Sequence, residues 1–152
     1  QLINVYNRYN CSVIGFQEVP RKDVYKYGII KPRGSEIERG TFHVDTLIEK
    51  PAIEEAPSNF AIMGRYILRP EIFEILANLE PGAGDEIQLT DGLCRLADIQ
   101  AVIAYYFEGK RYDVGDKLGF LKATIDVALD RECLRHDLLD YMNELLKEGG
   151  YC

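Results

Sequence analysis

The sequence predicts an α/β protein with a mixed β-sheet flanked by helices. Short apolar runs alternate with segments whose apolar residues recur at helical spacing along the 152 residues. Such interleaving of strands and helices is typical of α/β folds. No stretch rich in proline, glycine or serine divides residues 1–152, so we expect a single domain. Residues 1–10 already have the pattern of the last turns of a helix, which predicts that this domain is incomplete.

The first half of the chain is predicted to consist mainly of strands. Pro20 and Pro32 are expected to end two of them, because proline cannot donate a hydrogen bond to a neighbouring strand. Gly40 lies between two extended runs, which predicts a hairpin. The predicted elements are, in order, a helix over 1–10, strands over 11–20 and 26–30, the hairpin within 33–51, and a strand over 60–68.

The second half is predicted to contain helices and one further strand. Pro70 suits the first turn of a helix, and Asp85 is the predicted N-cap of the helix that follows it. The predicted elements are, in order, a helix over 69–81, a second helix after the glycine-rich segment 82–92, a strand over 101–109, and a helical region over about 116–148 with a break between Arg131 and Arg135.

The composition argues against several classes of partner. The formal net charge is −7 and no run of lysine and arginine occurs, so neither nucleic acid nor an anionic membrane surface is expected to bind. No apolar segment reaches the roughly 20 residues that span a bilayer. The cysteines are spaced singly, which argues against a zinc site or a disulfide framework and predicts a cytoplasmic location. They are Cys11, Cys94, Cys133 and Cys152.

One pair of residues at a predicted strand end has the chemistry of a sugar-phosphate site. "LIEKP" (residues 47–51) places Glu49 beside Lys50, and a twist at the strand end lets both side chains reach one ligand. A carboxylate accepts hydrogen bonds from sugar hydroxyls, and a lysine binds phosphate as a point charge. An exposed pair before a proline is the simpler interpretation of the spacing alone. Gly28 in "KYGII" indicates either close approach of a ligand or a β-bulge.

Asp113 lies in a short turn between a predicted strand and a predicted helix. Ligands of open α/β sheets gather at such turns. Magnesium, however, requires near-octahedral oxygen ligation, and no second carboxylate follows a comparable strand end. Taken alone, Asp113 is therefore predicted to be a turn or capping residue, with a metal ligand as the alternative.

Five motifs together resemble a known family. They are "KYGII", "LIEKP", "SNFAIMGRYIL", "GAGDEIQLTDG" and "FEGKRYDVGDKLGFLKA". In this order they resemble the C-terminal half of the bacterial UTP–glucose-1-phosphate uridylyltransferases, a branch of the sugar-nucleotide pyrophosphorylases. The resemblance implies the C-terminal part of a Rossmann-like nucleotide-diphospho-sugar transferase fold. It also implies Mg²⁺ as cofactor, with UTP and glucose 1-phosphate as substrates and UDP-glucose as product.

The same resemblance implies roles for individual residues. Gly28 matches a glycine that lets the sugar lie close to the backbone, and Glu49 matches the carboxylate that binds glucose hydroxyls. Lys50 matches the ammonium that meets the sugar phosphate, and Asp113 matches a carboxylate ligand of Mg²⁺. Lys50 and Asp113 are thus the implied catalytic residues. The residues implied to line the glucose pocket are Ala61, Ile62 and Gly64.

The family's glycine-rich triphosphate loop, its uracil-binding residues and its first Mg²⁺ aspartate are not among the motifs of this sequence. We therefore expect the chain to be inactive alone. Self-association is expected as well, because a partial sheet exposes an edge and because the family tends to form oligomers. The alternative is a non-catalytic module that binds sugar phosphate or mediates oligomerisation.

Overall fold

The structure is a computed structural model that describes residues 1–82 and 85–149. It contains two compact units, of which the first is Gln1–Glu108 and the second begins at Gly109. The elements of the first unit are, in order, α1 (Leu2–Tyr9), β1 (Ser12–Glu18), a 3-10 helix (Arg21–Lys26), β2 (Gly28–Glu38), β3 (Thr41–Glu49), β4 (Phe60–Ile67), α2 (Glu71–Ala77), α3 (Leu89–Ile99) and β5 (Val102–Tyr106). The predicted α/β class is confirmed.

The five strands close into a barrel with the order β1, β4, β2, β3, β5. β1 and β5 are parallel while the other neighbours are antiparallel, which confirms the predicted mixed pairing. The strands do not form the sheet flanked by helices that the sequence predicts, because they close into this barrel. Strand β3 pairs with β2 from Glu49 to Thr41 and with β5 over Thr41 to His43, and because β5 also pairs with β1 the ring is closed. Contacts between such distant segments leave no trace in local periodicity.

Two local predictions are also wrong. Strand β2 continues past Pro32 because the pairing register shifts between Lys31 and Pro32, and an irregular position tolerates the missing N–H of proline. Asp85 does not cap α3, which begins after Gln88. The N–H of Asp85 instead donates to the carbonyl oxygen of Gly82 at 3.2 Å. Ala83 and Gly84 of the glycine-rich segment lie outside the described residues.

Adjacent residues of β4 pack into two different apolar clusters. Ile62 lies in the cluster that contains Phe16 of β1 and Leu93 of α3. Its neighbour Ala61 lies in the cluster that contains Ile29 and Met63. This alternation follows from the two-residue period of a strand. It places Ile62 on the same side of the barrel wall as α3.

The described residues of the second unit, 109–149, form two helices, α4 (Lys117–Leu129) and α5 (Glu132–Glu148). Helices are observed over the predicted helical region, and the break lies at Asp130 and Arg131, at the N-terminal edge of the predicted Arg131–Arg135. Asp116 caps α4, since its Oδ2 accepts a hydrogen bond from the Gly119 N–H at 2.8 Å. Residues 150–152 lie outside the described residues. Across the described ranges of both units, no helix has the length and apolar character needed to cross a membrane.

Candidate functional site

Gly28 and Glu49 are paired where β2 begins and β3 ends. Gly28 is buried, and a Cβ atom there would lie 3.0 Å from each of three side-chain atoms. These atoms are Glu49 Oε2, Ile62 Cδ1 and Thr90 Oγ1. Because that spacing is tighter than ordinary Cβ contacts, only glycine lets the three side chains converge in this way. We call Gly28, Glu49, Ile62 and Thr90 the Glu49 cluster.

Thr90 is the member of the Glu49 cluster that the sequence does not predict. It is buried near the start of α3, and its hydroxyl donates a hydrogen bond to Glu49 Oε2 at 2.5 Å. This contact orients the carboxylate of Glu49, whose several lone pairs leave capacity to accept further donors. Its one signal in the sequence is its position just inside a helix that follows a glycine-rich segment.

Tyr66 of β4 lies within the electrostatic influence of Glu49. Burial raises the pKa of the Tyr66 hydroxyl, and the negative charge of Glu49 raises it further. Both effects disfavour the phenolate. Tyr66 therefore remains a neutral hydroxyl at pH 7, able to donate and to accept hydrogen bonds.

Lys50 leaves the strand with a left-handed backbone conformation, at a φ of 44°. Its N–H donates to the carbonyl oxygen of Tyr27 at 3.0 Å, which ties Lys50 to the residue before Gly28. The side chain is exposed, whereas that of Glu49 is half-buried. The expected departure from strand geometry at this point is confirmed. Because of this departure, the side chains of Glu49 and Lys50 do not have to point to opposite faces, as adjacent residues of a regular strand do.

The loop that follows Lys50 is held by Arg21 of the 3-10 helix. The guanidinium group donates to the carbonyl oxygens of Ile53 and Ala56 at 2.7 Å each, and to that of Ser58 at 3.0 Å. Hydrogen bonds from a charged donor are stronger than neutral ones. The loop is thus fixed directly after the residues that complete β3.

The other two predicted pocket residues are not members of the Glu49 cluster. Ala61 is fully buried and packs on the opposite face from Ile62. Gly64 is exposed and lies in the irregular part of β4 between Ile62 and Arg65, where the pairing with β1 shifts register, and its φ of 64° favours glycine. A Cβ at Gly64 would meet no atom within 4 Å, so backbone conformation is the reason for glycine there.

Asp113 lies in the second unit, in the turn before α4. Its Oδ1 accepts a hydrogen bond from the Gly115 N–H at 3.1 Å, and its Oδ2 lies 3.9 Å from an Arg111 guanidinium nitrogen. The side chain is 62% exposed. The turn predicted for Asp113 is therefore observed.

The side chains that could ligate a metal can be compared with the ligands that Mg²⁺, the cofactor implied by the family resemblance, requires. Over residues 1–82 and 85–149, no group of three or more His, Cys, Asp and Glu side chains is arranged to hold a metal ion. Magnesium is often bound by only one or two carboxylates, with phosphates and waters completing its shell. The exposed carboxylate of Asp113 fits one ligand of a phosphate-bound ion, and does not fit a site built from protein groups alone.

Solved structures of UDP-glucose pyrophosphorylases resemble this chain. One, complexed with UDP-glucose, has a TM-score of 0.80 and 43% identity, and covers 86% of this chain and 49% of its own. A UTP-bound enzyme from Acinetobacter baumannii has a TM-score of 0.81 and 35% identity, and covers 94% of this chain and 48% of its own. The similarity therefore extends over most of the chain in three dimensions.

Curated relatives are also similar in sequence. A UTP–glucose-1-phosphate uridylyltransferase from Streptococcus pyogenes is 48% identical over 147 residues, which is 97% of this chain and 48% of the relative. One from Streptococcus pneumoniae is 51% identical over 148 residues, or 97% of this chain and 49% of the relative. The chain thus spans about half the length of the curated relatives it matches.

These relatives confirm the predicted resemblance to bacterial uridylyltransferases. The alternative of a non-catalytic module is not favoured, because the relatives carry the names of transferases. The nucleotidyl transferase family matches residues 4–129, a range that includes the Glu49 cluster and Asp113. Since this match covers most of the length of the chain, the chain belongs to the nucleotidyl transferase family.

Proposed function

We propose that this chain is the C-terminal, sugar-phosphate-binding half of a UTP–glucose-1-phosphate uridylyltransferase. In the full-length enzyme, the uridylyl group of UTP is transferred to glucose 1-phosphate, giving UDP-glucose and pyrophosphate. The observation that carries this proposal is the convergence of Glu49 and Ile62 on the bare backbone of Gly28. It occurs in a chain about half identical to named uridylyltransferases.

The Glu49 cluster would hold the glucose moiety. Glu49 accepts hydrogen bonds from sugar hydroxyls while Thr90 keeps its Oε2 in place. Gly28 lets the carboxylate of Glu49, and with it the bound sugar, lie close to the backbone, and Ile62 would supply an apolar wall to the ring. Ala61 and Gly64 support this wall through the packing and the backbone bend of β4.

Lys50 would bind the phosphate of the sugar phosphate as a positive point charge. A phosphate oxygen of glucose 1-phosphate attacks the α-phosphorus of UTP, and the bond from that phosphorus to the leaving pyrophosphate breaks. The protein's contribution is to position the two phosphates and to neutralise their charge, so no covalent enzyme intermediate is needed.

Asp113 would be a ligand of Mg²⁺ bound to the substrate phosphates. Its side chain is exposed and one of its oxygens is engaged by the Gly115 N–H, so the carboxylate has a defined orientation in its turn. Bound magnesium would supply charge neutralisation on the phosphates during transfer.

Calorimetric titration of the 152-residue chain tests the proposed function. In the presence of Mg²⁺ we expect saturable binding of UDP-glucose and of glucose 1-phosphate. Free UDP should bind at least about tenfold more weakly, because it offers no sugar hydroxyls to Glu49 and so loses more than about 1.4 kcal/mol of binding energy. Equal binding of UDP and UDP-glucose, or no binding of either sugar ligand, contradicts the proposal.

We further propose that the chain forms a homo-oligomer and acts in the cytoplasm. Large apolar side chains of the second unit are exposed, among them Phe120 and Leu121 of α4 and Leu146 of α5. Exposed apolar patches mark surfaces that associate. Light scattering at micromolar concentration should therefore give a mass of at least two chains, and a monomeric mass would refute the oligomer.

A further inference from the structure

One carboxylate of α4 holds the segment that leads to Asp113. Asp126 Oδ2 accepts a hydrogen bond from the Tyr112 hydroxyl at 2.5 Å and another from the Lys110 ammonium group at 2.9 Å. Tyr112 directly precedes Asp113, and Lys110 lies two residues further back. Because both donors share one acceptor on a helix, the backbone that enters the Asp113 turn is fixed relative to α4.

The same turn is fixed on its other side by the first turn of α4. Gly119 packs so closely on Asp113 that an added Cβ would overlap the Asp113 carbonyl oxygen. The Asp116 N–H donates to that carbonyl oxygen at 3.3 Å, and the Asp116 side chain caps the helix. Asp113 is therefore held between the anchor at Asp126 and the start of α4.

We propose that Asp126 is a positioning residue for Asp113, holding the turn through Tyr112 and Lys110 so that the Asp113 carboxylate is already placed when metal and phosphates arrive. This inference rests on the proposed function, because it takes Asp113 as a ligand of the phosphate-bound ion. A ligand that is ordered in advance loses less conformational entropy on binding. Partners behind a metal ligand commonly tune metal affinity in this way.

The geometry favours positioning over a simple surface ion pair. An isolated exposed pair contributes little to stability. Asp126, however, is 35% exposed and joins two donors of one short segment, and Tyr112 adds a neutral hydroxyl that salt does not screen. Loss of Asp126 should therefore loosen the turn at Asp113 while leaving the rest of the second unit unchanged.

Nuclear magnetic resonance of the 152-residue chain tests this proposal with two readouts. The first is amide hydrogen exchange across residues 111–116 without metal. The second is titration with Mn²⁺ at saturating UDP-glucose, whose phosphates supply the further oxygen ligands. Mn²⁺ is a paramagnetic, oxygen-binding ion, and the midpoint is read from broadening of the Gly115 amide signal. Asp126→Ala removes the acceptor and keeps the helix, since alanine is the best helix former. Tyr112→Phe removes one donor and keeps the ring.

We expect Asp126→Ala to speed exchange in the turn by about an order of magnitude and to raise the Mn²⁺ midpoint severalfold, with Tyr112→Phe intermediate. Asp137→Asn is the matched control, because it removes the same charge from an exposed position of α5. It should change neither readout. Asp126→Asn keeps one acceptor oxygen and should rescue both in part.

Three outcomes would overturn the proposal. If amide exchange in the turn of both Asp126→Ala and Tyr112→Phe stays within twofold of that in the unaltered chain, Asp126 does not anchor the turn. Faster exchange with an unchanged Mn²⁺ midpoint would leave Asp126 a purely structural role. No broadening at Gly115 in the unaltered chain would remove the metal role of Asp113. Sugar-ligand binding by calorimetry does not depend on these outcomes, so failure of this inference and failure of the proposed function are distinguishable.

Discussion

Glu49→Gln is expected to lower the affinity for UDP-glucose and glucose 1-phosphate by about a hundredfold. A hydrogen bond to a charged group contributes roughly 1.5–3 kcal/mol, and about 1.4 kcal/mol corresponds to a factor of ten in affinity. The amide keeps the size of the side chain but loses the charge, and it turns one acceptor into a donor. Two sugar hydroxyls that donate to the carboxylate are then each bound more weakly. Calorimetric titration measures the change directly.

The other variants of this series separate the carboxylate from its surroundings. Glu54→Gln is the matched control, because Glu54 is exposed in the loop after β3 and the exchange of charge is the same. It should leave the affinity unchanged. Thr90→Val removes the donor to Oε2 and should weaken binding by about tenfold, since only the orientation of Glu49 is lost. Affinity of Glu49→Gln within twofold of the unaltered chain would refute the role of Glu49.

Elements with a strong periodic pattern could be predicted from the sequence. The apolar run at 60–68 predicts a strand, and β4 spans Phe60–Ile67. The pattern after residue 116 predicts helices, and α4 and α5 are observed there. The 3-10 helix at Arg21–Lys26 and the closure of the barrel are not predicted. A six-residue helix is too short to show a period, and closure depends on pairing between distant strands.

The candidate site was harder to predict from local sequence patterns than the fold was. Spacing favours an exposed pair at Glu49 and Lys50, and only the family resemblance indicates a sugar site. Thr90 lies 41 residues from Glu49 in sequence, so only the packing of α3 beside β3 brings its hydroxyl to the carboxylate. A single threonine at the start of a helix can have many structural roles, so the sequence does not predict the hydrogen bond from Thr90 to Glu49.

Gly119→Ala is expected to destabilise the second unit, against the usual effect of this substitution. Alanine in place of glycine inside a helix normally stabilises it by up to about 1 kcal/mol. At Gly119 the new Cβ would overlap the Asp113 carbonyl oxygen and lie 3.0 Å from the carbonyl carbon. Backbone cannot rotate away as a side chain can, so the turn or the first turn of α4 must move. Overpacking of this kind costs roughly 1–3 kcal/mol, which exceeds the gain in helix propensity.

Gly92→Ala provides the matched comparison, because Gly92 also lies in a helix and is also crowded. There the added Cβ would lie 2.7 Å from Leu76 Cδ2, the end of a side chain that can change its rotamer. We expect Gly92→Ala to leave the local free energy of opening within about 1 kcal/mol of the unaltered chain, since propensity offsets the strain. Hydrogen exchange of the amides of α4 for Gly119→Ala, and of α3 for Gly92→Ala, measures both. Slower amide exchange in α4 of Gly119→Ala than in the unaltered chain would show that the turn at Asp113 adapts to the added Cβ without cost. The close packing of Gly119 would then not contribute to holding Asp113.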